Sequence, residues 1–457
     1  MSQGEGQVLC LTPRQNQDFR LHHAPPSPLK DGEESPVLLT TRPSPVLRVC
    51  QRSLVAIEGY GCPLVSELIP LHATSPALLD ALLALAGQVR ARLLKGQPLG
   101  ADPGAADDYP GLAPMDDAYH QALVNVRALV EHQDVVDGSQ DVLLAAIAGA
   151  IILVFLSMAG PDHDWQHHAQ QITHLIDCAD LALFSCSSLG RLLLMSAAHL
   201  DTPAGSLGRS TPSTSAWSRW GIDDLPRPPD EPFSEFEIIV GQPSSLTSLI
   251  ARVGHCAESR RAQVATLDSV PSSNDAGRGA ADWHYVKTLI DFWEPPAFPP
   301  DFPGHQRLVL LTAWRITIRA TRLYHLRQLG FYSDLGQPIA GISTESYVAT
   351  LQDMAVGIRF LLDDFKSNNT TMANAMAWPL AVLGSECGSN STCHLQRDVV
   401  RLIQDVSETF LMSHLHHLLL ILQDLWEEQM LPTNSDKGGS LSLESITRKH
   451  GLSVPLL

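Results

Sequence analysis

From Met372 to Cys387 the chain sets Met372, Met376, Trp378, Leu380, Ala381 and Leu383 in one run, with no charge before Glu386. A helix that is apolar on nearly every side has to be enclosed by other elements. Its continuation, Arg397 to Glu428, repeats apolar residues at helical spacing through Val400, Leu402, Ile403, Val406, Phe410, Leu411, Leu415, Leu418 to Leu422, Leu425 and Trp426. Thr371–Glu428 is therefore expected to be a helix, a loop and a second helix. The rest of the chain is expected to pack around that pair.

The remaining segments fit such a body. Ser75-Pro76 has the form of an N-cap followed by proline at the first helical position, opening an amphipathic helix over Ala77–Leu94. Further helices are expected over Asp117–Val130, Asp141–Met158, Asp164–Leu183 and Ser185–His199, then after Gly241, and over Gln306–Leu329 and Glu345–Leu362. Phe292–Pro303 is too proline-rich for a helix and is read as extended. Val270–Gly279 is expected to be mobile, and Asp363–Asn369 a polar turn. Strand character is confined to a fragment near Glu235–Val240. The fold class is all-α, a multi-helix bundle or antiparallel helix-pair array with long loops.

Three stretches break the pattern. Residues 1–50, with Pro25-Pro26-Ser27-Pro28 and Arg42-Pro43-Ser44-Pro45, read as a disordered N-terminal arm. Residues 201–235 read as a long surface loop inside a helical domain spanning 51–431, and 432–457 as a flexible tail.

Val142 to Gly160 is uncharged for its whole length and is long enough to span a bilayer. Its flanks are Asp137 and Asp141 on one side and Asp162 and Asp164 on the other, without the basic anchors of a membrane span. It is read as a buried central helix, and no membrane partner is expected. No basic n-region followed by an apolar run stands at the start. The net charge of −18 argues against an extended nucleic-acid surface, which needs a basic stripe.

Candidate chemistry is sparse. His163 and His167 are four apart, the spacing by which two histidines share a helix face for zinc, but Asp164 stands where zinc proteases carry Glu. The alternative structural reading is a first helical turn capped by Asp162 or Asp164. His414, His416 and His417, with Asp424 beyond, are read as edge residues between core and water. Arg315, Arg319 and Arg322, with Arg327 further along, are read as a solvated basic stripe. None of the cysteines forms a C-x-x-C. Cys178, Cys186 and Cys256 are read as small buried hydrophobes, and Cys387 and Cys393 as a reduced pair. No G-x-S-x-G, G-x-x-x-x-G-K-[ST] or strand-linked G-x-G-x-x-G occurs. No catalytic, cofactor-binding or metal residue is assigned.

Ala375-Met376-Ala377-Trp378-Pro379-Leu380-Ala381-Val382-Leu383-Gly384-Ser385-Glu386-Cys387 resembles the Trp-Pro-apolar run of the fungal-specific transcription factor domain, the helical regulatory region of fungal zinc-cluster activators. The run is followed by a helix bearing Arg397 and Arg401 and by Trp426, as in that family. Ile238-Ile239-Val240-Gly241, Asp164-Trp165-Gln166-His167-His168 and Ala313-Trp314-Arg315 through Tyr324 are similar too, so the resemblance covers about Pro70–Glu428. It marks Trp378, Pro379, Glu386, Arg397 and Trp426 as a structural signature. Pro379 is expected to kink its helix, and Glu386 to find an arginine from the next helix.

The family's basic six-cysteine cluster is not seen. Only Cys10, Cys50 and Cys62 fall in the first 170 residues. The resemblance implies a nuclear regulator of fungal transcription, with the cytoplasm as the alternative location. Its field would be secondary-metabolite gene clusters. It would act through protein partners, a DNA-binding factor or a second copy of itself, rather than by direct DNA binding, and a small-molecule effector is compatible with it. The alternative from another class is a helical enzyme of a biosynthetic cluster using His163 and His167.

Overall fold

A computed structural model of the chain describes residues 67–68, 71, 75–95, 115–131, 140–159, 165–209, 212–222, 233–265, 273–328, 343–368, 370–388, 391–410, 412, 414–430 and 442–456. Among these, sixteen α-helices and one two-stranded pairing make an all-α fold. The expected arm over 1–50 lies outside the described residues.

The first six helices are α1 (Pro76–Lys95), α2 (Met115–Glu131), α3 (Gln140–Ala159), α4 (Trp165–Cys178), α5 (Leu181–Ser185) and α6 (Ser188–Leu200). Ser75 caps α1, its hydroxyl accepting from the Leu78 amide at 3.4 Å, and Pro76 fills the first helical position. Helices α1, α2, α4 and α6 surround α3, whose residues from Leu143 to Met158 are buried apart from Phe155. Within its most apolar window 83% is buried, so protein takes up the faces that a bilayer would otherwise cover. This is the centre of an N-terminal core that also holds Trp165, Phe184, Trp217 and Trp220.

The short helix α7 (Ala216–Arg219) is followed by α8 (Glu235–Val240), α9 (Ser244–Ala265) and α10 (Ser273–Asp291). Next come α11 (Gly304–Gln328) and α12 (Thr344–Asn368). Then follow α13 (Ala377–Ser385), α14 (Gln396–Phe410), α15 (His414–Met430) and α16 (Leu443–Lys449). Helices α11, α12, α14 and α15 close around α13, every residue of which is buried. Among the described residues there are thus two large cores, each on one helix with no polar face, beside a small third cluster of Leu249, Val253, Val286 and Ile290.

Six expectations are corrected. Residues 201–209 and 212–222 are not a surface loop. Asp201 is 5% exposed and accepts from the amides of Thr214 and Ala216, the hydroxyls of Ser213 and Thr214, and Arg209. That one carboxylate ties a polar, proline-containing segment down, and Trp217 and Trp220 are buried with it. Glu235–Val240 is helical rather than extended. Ser234 and Glu237 form a reciprocal capping box, and the left-handed Gly241 ends the turn.

The tail is ordered from Ser442. Helix α16 is followed by Val454–Pro455, which pairs antiparallel with Ser206–Leu207. Beside it Gly208 has φ +66°, and a Cβ there would meet Leu452 O at 2.1 Å. The stretch from Arg397 to Glu428 is two helices. Ser407 ends the first, its hydroxyl donating to Met412 O while Met412 N donates back to Ser407 O. Finally, residues 273–279 and 363–368 are helical, in α10 and α12.

Candidate functional site

The three ends of α11, α12 and α13 meet at a buried charge cluster. Arg327 lies in the last turn of α11, Tyr347 in the first turn of α12, and Glu386 just beyond the C-terminus of α13. Arg327 Nε donates to Glu386 Oε1 and Oε2 at 2.9 and 2.8 Å. The Tyr347 hydroxyl donates to Glu386 Oε2 and accepts from Arg327 Nη2 at 3.1 Å. The Glu386 side chain is 1% exposed and that of Arg327 6%.

Burial opposes the Arg327 charge, but attraction and hydrogen bonding from Glu386 outweigh it, so the guanidinium is held above its ordinary value. Burial pushes the Tyr347 hydroxyl far up, and the carboxylate of Glu386 adds to the push. The neighbouring Cys387 thiol is raised by burial and then by Glu386, and it donates to Leu383 O at 3.1 Å. Arg327, Tyr347 and Glu386 each bond to the other two. Such a cluster fixes three helix ends.

The signature residues gather around it. Trp378 is 6% exposed and meets Tyr324 edge-on at 6.1 Å. Trp426 Nε1 donates to Gly384 O at 2.9 Å, satisfying a carbonyl near the C-terminus of α13. Arg397 stands apart, on α14. Two expectations change here. The partner of Glu386 comes from α11, earlier in the chain, not from the following helix. Pro379 does not kink a long helix either. It occupies the third position of α13, where no backbone N–H is needed, and the 3₁₀ turn Met372–Met376 leads directly into that helix. Sequence reasoning missed Tyr347 and placed Arg327 in a solvated stripe. The signal was the spacing: Arg327 is five residues beyond Arg322, which turns it away from the exposed row. Arg319 and Arg322 do reach acids on neighbouring helices, Asp353 and Asp291, both at 3.1 Å.

His163 lies outside the described residues, and His167 is exposed on α4. His414 is buried and lies 2.9 Å from Met158 O, so it joins the start of α15 to the end of α3. His416 Nδ1 is 3.3 Å from Ser407 Oγ. Among the described residues no three His, Cys, Asp or Glu side chains converge as metal ligands would. Cys178 and Cys186 are exposed, contrary to expectation, because each sits at a helix end turned from the core. Cys387 and Cys393 are both free thiols.

The family model for the fungal specific transcription factor domain matches residues 46–455. No curated protein and no solved structure matches the chain.

Proposed function

The chain belongs to the fungal-specific transcription factor domain family and is a regulator of transcription in fungi; from that premise we propose that it works through protein partners, in the nucleus, on genes of a secondary-metabolite cluster. The family match across nearly the whole chain carries this reading. The net charge of −18 supports partner recruitment over a grip on phosphates by this region. The buried cluster of Arg327, Tyr347 and Glu386 supports a scaffold whose polar groups serve shape. The partner is a DNA-binding factor or a second copy of the chain.

The test is recruitment. Fused to a heterologous DNA-binding domain, the chain should shift a reporter several-fold from its basal level, and deleting its gene should change the transcripts of one biosynthetic cluster. A silent reporter together with an unchanged transcriptome would overturn the reading. Metal analysis of the purified chain addresses the alternative enzyme. Stoichiometric zinc that disappears in a His163→Ala/His167→Ala variant would favour it.

A further inference from the structure

A cavity of about 270 Å³, away from the signature residues, opens between the 213–218 turn and the helices α9 and α10. That is just below the span of about 300–1,000 Å³ typical of small-molecule sites. Its floor is apolar and buried, made by Ala216, Trp217, Ala251 and Val286. Its rim is polar. One turn of α9 supplies Arg252 and His255, and the facing turn of α10 supplies Asp282 and Tyr285.

The Cys256 thiol lines the wall between them. Burial raises it, Asp282 raises it further, and Arg252 works in the opposite direction, so both charges act on one point of the wall. Ser215 closes the third side. It is the one residue other than glycine with positive φ among the described residues, at 60°, and its hydroxyl lies 3.0 Å from His255 Nδ1. A serine is held in that uncommon backbone region only where surrounding contacts over-determine it. Here Asp201 holds the turn from below, accepting from the amides of Thr214 and Ala216 on either side.

We propose that this cavity is a binding site for a small aromatic zwitterion of the amino-acid type. Its carboxylate meets Arg252 and His255, its ammonium meets Asp282, and its ring lies on the floor at Trp217 beside Tyr285. The apolar floor accounts for the ring. The opposite charges of Arg252 and Asp282 on facing sides of the rim account for the zwitterion, because a ligand of one sign would be attracted by one wall and repelled by the other. This site stands whether or not the chain regulates transcription.

L-Phenylalanine, 3-phenylpropanoate and 2-phenylethylamine titrated into the full chain by calorimetry test it. L-Phenylalanine should bind at one saturable site, and each analogue lacking one charge should bind about tenfold more weakly or worse. Bound L-phenylalanine should slow iodoacetamide alkylation of Cys256, read by peptide mass spectrometry, and leave Cys178 and Cys393 unchanged. Arg252→Gln should weaken L-phenylalanine and 3-phenylpropanoate but spare 2-phenylethylamine, while Asp282→Asn should weaken L-phenylalanine and 2-phenylethylamine but spare 3-phenylpropanoate. Ser218→Trp, at the exposed rim, should block all three without altering the fold. Absence of both heat and Cys256 protection at about 10 mM L-phenylalanine would overturn the proposal. So would equal affinity for the three compounds, which needs no variant to establish.

Discussion

Among single residues, the indole of Trp378 and the imidazole of His325 carry the clearest consequences. Trp378 is buried in the core built on α13, its ring against Tyr324 of α11, so Trp378→Ala should cost about 3–5 kcal/mol in urea unfolding. A loss under about 1 kcal/mol would place the indole outside the core. His325 is 1% exposed, its ring 4.3 Å from that of Trp283, and neither ring nitrogen has a hydrogen-bond partner among the described residues. Burial lowers it to about 4, Lys287 lowers it further and Asp291 opposes. Because the unfolded chain takes up this proton near 6.5 and the folded chain only near 4, the neutral ring's contribution is complete above about pH 6.5 and is lost as pH falls toward 4. The loss by pH 4 is on the order of 3 kcal/mol. His325→Phe keeps the ring contact and removes the proton site, so its melting temperature should fall less between pH 7 and 5 than the parent's. Parallel falls would show that His325 is not the titrating group. The spacing from Arg322 turns Arg327 off the exposed row, but neither its partners nor the burial of His325 is legible in the sequence, because each depends on which helix faces it.

Between elements, the contact of α13 with α15 is set by Gly384. A Cβ there would come within 2.5 Å of Leu422 Cδ1, and Leu422 is fully buried. Overpacking costs about 1–3 kcal/mol, against roughly 1 kcal/mol that alanine returns in helix propensity. Gly384→Ala should therefore lower the melting temperature, and adding Leu422→Ala should relieve the clash. A more stable single variant would show that the helices part without cost. Pro379→Ala should change stability by less than about 1 kcal/mol, since the first turn of α13 asks nothing of that amide. A large loss in a denaturation curve would restore the kink. Most helices are legible from apolar spacing, and α3 from the absence of charge. Elsewhere local chemistry outweighs composition. Asp201 gathers a polar segment into the body, and Ser234 with Glu237 turns an Ile-Ile-Val run into helix. The Ser407 hydroxyl likewise ends α14 where the leucine pattern runs on. The last segment is fixed by pairing with Ser206–Leu207, a partner from the other half of the chain that no local pattern announces.

Across the molecule, two cores grow on two helices without a polar face, α3 and α13. Each is enclosed by amphipathic neighbours, and His414 at Met158 O links the two. Glu386 belongs to this architecture. Its charge is there to be matched by Arg327 and Tyr347 at the junction of three helix ends. Equilibrium urea unfolding of Glu386→Gln beside an Arg327→Met/Glu386→Leu double variant decides the matter. The single variant strands a buried guanidinium and should lose about 3–5 kcal/mol, while the double variant, with no charge left to strand, should lose less. A single variant within about 0.5 kcal/mol of the parent would mean that the carboxylate holds nothing together.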